Sequence, residues 1–130
     1  MNDAKKYFEQ LSLAYVSQMQ IARRQAAGDV DFVLIDVRNP SPDVTKIQEI
    51  IPGTVQIPER DLLNEILKLG LSKDKQIIVY CWDNMCSLGY TSASKLLNAE
   101  YSNVKELLGG IAAWKSRNLP LINLKTEGSE

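Results

Sequence analysis

The segment Gln76-Ile77-Ile78-Val79-Tyr80-Cys81-Trp82-Asp83-Asn84-Met85-Cys86-Ser87 decides the fold. Ile77 to Tyr80 are β-branched or aromatic and uncharged, which reads as a strand buried on both faces. Leu88 to Ala99 follows as a helix carrying Leu88, Ala93, Leu96 and Leu97 on its apolar face. A cysteine between a buried strand and a helix start has a chemical use. The first helical turn carries unpaired N–H groups and a partial positive charge. A tight loop leading into it can aim further N–H groups at the same point, forming an anion nest. Such a nest suits a thiolate or a terminal persulfide on Cys81 and lowers the thiol pKa with no histidine base. The position admits a second reading, a buried core thiol, because free cysteine is among the most buried residue types.

Outward from this segment the chain alternates strands and helices. Phe32-Val33-Leu34-Ile35-Asp36-Val37 reads as a second buried strand and Val55-Gln56-Ile57 as a short one. Val104 to Leu108 reads as another. Glu59 to Leu69 fits a helix with Leu62, Leu63, Ile66 and Leu67 inward and Gly70 as its stop. Gly109-Gly110 marks a tight turn before a last helix, Ile111 to Arg117. Asn39-Pro40-Ser41-Pro42-Asp43 is a loop by its turn chemistry, and Pro52-Gly53 marks another turn. At the N-terminus, Ala4, Phe8, Leu11, Tyr15, Met19, Ala22 and Ala26 form one stripe. They predict a single helix over Asp3–Ala27 stopped by Gly28. The organisation expected is an N-terminal helix (1–28) packed on the domain, one domain (29–124), and a loose polar tail (125–130). Such alternation implies an α/β domain with a mostly parallel sheet, whose ligands bind beyond the C-terminal ends of the strands. That rule again selects the segment after Tyr80.

Composition narrows the chemistry. The chain has 130 residues, the size of one domain, and 45% of them are apolar types. Fifteen basic against 16 acidic residues leave a net charge of −1, so no sequence-wide pull on nucleic acid or anionic membrane is expected. No apolar run approaches the ~18 residues of a membrane span. Two lysines near the N-terminus precede no apolar signal core, and the thiols read as free, so the expected location is cytoplasmic. Histidine is absent, which removes Ser-His-Asp and Cys-His catalysis and most zinc sites. No metal and no cofactor are called for, since two cysteines alone do not complete a metal site.

The chain resembles a single-domain rhodanese, a sulfurtransferase family, from about Val30 to Pro120. The resemblance rests on Leu34-Ile35-Asp36-Val37-Arg38, similar to the family's "D-V-R" strand, and on Ile51-Pro52-Gly53-Thr54-Val55 with Ile57-Pro58, similar to "H-I-P-G-A…I-P". It rests also on Ile78-Val79-Tyr80-Cys81, and on Leu108-Gly109-Gly110, Trp114 and Pro120, similar to the closing "GG…W…P". The resemblance implies a central, mostly parallel five-stranded sheet flanked by helices on both faces. It implies that Cys81 is the catalytic nucleophile, accepting a sulfane sulfur as a persulfide and passing it to a thiol, cyanide or a partner protein. The loop Trp82, Asp83, Asn84, Met85, Cys86 and Ser87 would bind the substrate through its backbone amides.

Departures from the pattern sharpen the reading. Ile50 stands where the family has a histidine, Asn84 where it has a glycine, and Cys86 where an arginine or serine is common. Asn tolerates positive φ, so the turn at Asn84 can survive. Cys86 has two readings, an inert apolar plug or a resolving thiol that closes a disulfide with Cys81. Asp83 puts a carboxylate near the cysteine, which disfavours the thiosulfate dianion and favours a persulfide donor. Trp82 reads as packing under the loop or as an apolar lip for a partner. Asp36 and Arg38 read as a structural ion pair at a strand end, not as catalysts. Phosphatases and arsenate reductases of this fold carry an arginine six residues after the cysteine. That position is Ser87, and no Lys or Arg occurs between Gln76 and Ser94. The remaining alternative is a non-catalytic binding module or a Cys81/Cys86 thiol redox sensor.

Overall fold

The structure, a computed structural model, describes residues 2–39, 47, 49–83 and 85–124. In chain order it runs α1 (Asp3–Ala14), β1 (Tyr15–Val16), α2 (Gln18–Ala26), β2 (Val33–Asp36), β3 (Glu49–Ile50) and β4 (Thr54–Gln56). A 3-10 turn (Glu59–Asp61), α3 (Leu62–Leu69), β5 (Ile77–Tyr80), α4 (Leu88–Asn98), β6 (Val104–Leu107), α5 (Gly110–Ser116) and β7 (Ile122–Asn123) complete it. Five strands form one parallel sheet in the order β1-β6-β5-β2-β4. A two-stranded antiparallel pair, β3 with β7, lies beside it. The loop expected around Pro40–Asp43 and the tail 125–130 lie outside the described residues.

Central β5 is buried at every position, which is why it reads as an unbroken apolar run. Its side chains alternate between two cores. Ile77 and Val79 join Ile35, Leu62, Ile66 and Leu96 under α3 and α4. Ile78 and Tyr80 join Leu34, Ile21, Ile111 and Trp114 under α2 and α5. Helices therefore cover both faces, as a parallel sheet requires. Gly70 ends α3 in the left-handed conformation, φ 64°.

The N-terminal expectation is corrected. One helix over Asp3–Ala27 is instead two helices separated by β1, the edge strand of the sheet. Ser17 starts the second helix with a capping box, accepting from Gln20 N–H while the Gln20 side chain accepts from Ser17 N–H. The aromatic and β-branched pair Tyr15-Val16 joins β6 in preference to continuing the helix. The stripe is not one buried face, because α1 has no buried residue and Phe8 stays exposed. Leu63, Leu67 and Leu97, expected inward, also face solvent. Their helices bury a narrower stripe than their leucines suggest. Among the described residues no helix is long and apolar enough to cross a membrane.

Candidate active site

The strand order places a topological switch beside β5. From β2 the chain passes to β4 on one side, then returns to β5 on the other. In open parallel sheets such a switch leaves a crevice at the C-terminal strand ends. β2 delivers Asp36 and Arg38 to that crevice, and β5 delivers Cys81 and Trp82, with Asp36 in register with Tyr80.

The Cys81 backbone is held from below by α5. Ile111 N–H donates to Cys81 O at 3.0 Å and Ala112 N–H to Trp82 O at 2.9 Å. This close contact requires glycine at Gly110, where φ is 62° and a Cβ would lie 2.7 Å from Cys81 O and 2.8 Å from Asp83 N. The glycine turn is itself anchored by the N-terminal segment. Leu108 N–H donates to Val16 O at 2.9 Å, and the buried Gln18 amide donates to Leu108 O. Gln18 is a support that the sequence reading missed. The Ser17-x-x-Gln20 capping-box pattern beside it is the sequence signal that could have marked a helix start there.

Asp36 and Arg38 form a buried bidentate pair, with Arg38 Nε donating to Asp36 Oδ1 at 2.8 Å and a terminal guanidinium nitrogen to Oδ2 at 2.7 Å. That terminal nitrogen also donates to Glu49 O at 2.8 Å. The guanidinium stacks over the Trp82 ring, 4.3 Å from its centroid. Arg38 thereby ties β2 and β3 to the loop after β5. Tyr80, one residue before Cys81, accepts from Ile51 N–H at 3.2 Å and bonds Thr54 Oγ1 at 2.9 Å. Burial, with the nearby Asp36 charge second, pushes its phenol up to about 12.

Cys81 is 1% exposed and is bonded to the half-buried Cys86 in a disulfide, with Cα atoms 6.4 Å apart. That spacing lies within the usual range for a bridge. Asp83 shapes the arm between them. Its backbone O accepts from Cys86 N–H at 3.2 Å, and its Oδ1 accepts from Met85 N–H at 2.9 Å. Two of the amides expected to face a sulfur anion are therefore turned onto Asp83 in this disulfide state. Trp82, Asp83, Met85 and Ser87 are exposed, Met85 most of all at 87%. Asn84 lies outside the described residues. Ser87 precedes α4 and makes no side-chain cap bond to its first turn.

Comparison with known proteins gives one consistent picture. A family model described as Rhodanese-like domain matches residues 17–117. The chain is 30% identical over 99 residues to the Sulfurtransferase of Allochromatium vinosum, covering 76% of this chain and 86% of that one. A Lactobacillus plantarum protein crystal structure superposes with a TM-score of 0.77 at 32% identity, over 93% of this chain and 98% of that one. The solution structure of a rhodanese-like domain from an Anabaena protein gives 0.72 at 25% identity, over 89% and 84% of the two chains.

Proposed function

The chain belongs to the rhodanese-like family of sulfurtransferases, and from that premise we propose that it carries sulfane sulfur as a persulfide on Cys81. The observation that carries this reading is the position of Cys81. It sits at the C-terminal end of the central strand, its backbone clamped by Ile111 and Ala112, with the first turn of α4 ahead of it. With the bridge to Cys86 reduced, the Cys81 thiolate faces the positive end of that helix. It attacks the sulfane sulfur of a donor, whose own thiolate leaves. A thiol or cyanide then takes the outer sulfur and frees Cys81.

A persulfide donor fits the loop better than thiosulfate. Asp83 is exposed and ties its carboxylate to the loop through Met85 N–H, and the described loop brings no cation to offset it. Exposed Trp82 and Met85 beside the crevice offer an apolar lip to a protein donor or acceptor. The test is thiocyanate production from cyanide with glutathione persulfide or thiosulfate as donor, under reducing conditions. Turnover with the persulfide, at least tenfold slower turnover with thiosulfate, and none in Cys81→Ser is the expected result. No turnover with either donor overturns the reading.

The Cys81–Cys86 bond favours a second reading, a thiol redox sensor. A sensor closes the bridge with an oxidant and takes up no sulfur from a persulfide.

A further inference from the structure

We infer that Cys86 is a resolving thiol, and that the chain releases the sulfur it carries as hydrosulfide by closing the Cys81–Cys86 bridge. This rests on the proposed persulfide at Cys81. Three observations carry it. Cys86 reaches Cys81 within the native fold, with Cα atoms 6.4 Å apart and a bond formed between the two Sγ atoms. The Cys81 backbone is clamped by α5, so the reacting partner has a fixed position. The arm that carries Cys86 is folded back by its own turn, with Asp83 accepting from both Met85 N–H and Cys86 N–H. The second thiol is thus held at the first by local chemistry.

The step balances without an outside oxidant. The Cys86 thiol gives up its proton, and its thiolate attacks the Sγ of persulfidated Cys81. The Sγ–Sγ bond forms, and the bond from Cys81 Sγ to the outer sulfur breaks. The outer sulfur leaves with the electron pair and a proton as hydrosulfide. The sulfane sulfur is reduced to the sulfide level, and the two protein thiols are oxidised to the disulfide. A dithiol reductant then restores both thiols through a mixed disulfide. The bridge in the structure is the product of this step, because attack on the inner sulfur leaves the two Sγ atoms joined. Intramolecular attack acts at an effective concentration of about millimolar or above. External thiols well below that concentration lose to Cys86. The reaction class is reductive cleavage of a persulfide at the expense of a dithiol.

The experiment loads the fully reduced full chain with inorganic polysulfide, removes excess donor rapidly, and follows the protein in acceptor-free buffer. Hydrosulfide release and the mass of the Cys81 and Cys86 peptides are read for wild type, Cys86→Ser and Cys86→Ala. Wild type is expected to release one hydrosulfide per chain and end as the disulfide. Both variants are expected to hold the added sulfur at least tenfold longer, until cyanide removes it as thiocyanate. Equal persulfide lifetimes in all three proteins overturn the resolving role while leaving Cys81 a sulfur carrier. Failure of Cys86→Ser and Cys86→Ala to gain sulfur, with wild type releasing no hydrosulfide, overturns the carrier reading and this inference with it.

Discussion

The Arg38 guanidinium lies 4.3 Å from the centroid of the Trp82 ring while its nitrogens bind both carboxylate oxygens of Asp36. One residue thus links the end of β2, and through Glu49 O the strand β3 of the second sheet, to the loop that begins at Cys81. The pair is about 1% exposed on each side, so neither charge is solvated when its partner is removed.

Breaking that pair is expected to be costly. Asp36→Asn or Arg38→Leu should each destabilise the fold by about 3–5 kcal/mol, because each leaves a buried group uncompensated. The combined replacement Asp36→Leu with Arg38→Met should cost less than either single change. Urea unfolding of the three proteins checks this. Single changes costing under about 1 kcal/mol would show that the pair is not what holds the strand ends.

Tyr80 predicts an alkaline weakness. Its folded pKa is raised from 10.0 to about 12, so between those values the unfolded chain loses a proton that the folded chain retains. The stability this represents is fully present below pH 10 and falls as pH rises toward 12. At ~1.36 kcal/mol per unit the loss is about 2–3 kcal/mol. Tyr80→Phe leaves Ile51 N–H and Thr54 Oγ1 without their partner, costing about 1–2 kcal/mol near neutral pH. The variant lacks the titration, so its deficit should shrink between about pH 10 and about pH 12. A constant deficit would contradict the assignment.

Gly110→Ala places a Cβ 2.7 Å from Cys81 O and 2.8 Å from Asp83 N, at a φ of 62°. The strained backbone and the clash together should cost about 2–4 kcal/mol. Because the clash falls on the Cys81 backbone, sulfur loading should also slow when compared at equal folded fraction. Thermal melts with a single-turnover loading assay separate the two effects. A variant that loads at the wild-type rate would show that the clamp does not position the cysteine.

The central strands were legible because burial on both faces leaves an unmistakable run at Ile77–Tyr80. The edge of the sheet was less so. Tyr15-Val16 is too short to interrupt a helical period by hydrophobicity alone, and the Ser17-x-x-Gln20 pattern, a capping box in the structure, was not read as a helix start. Ile50 and Ile122, which pair in the small second sheet, sit in segments with no alternation to read. At the site, the positions of Cys81, Asp36 and Arg38 followed from strand ends. The destination of the loop amides did not, because an aspartate can face water or its own backbone with equal ease in sequence. The structure turns Asp83 onto Met85 and Cys86.

Sulfur uptake at Cys81 is the step on which the proposed chemistry depends. Reduced protein is treated with glutathione persulfide in the Cys86→Ser background, so that an added sulfur persists, and digested for peptide mass spectrometry. The expected result is a gain of one sulfur on the Cys81 peptide, lost on adding cyanide and absent when Cys81 is also serine. A Cys81 peptide that stays unmodified under saturating donor would contradict it.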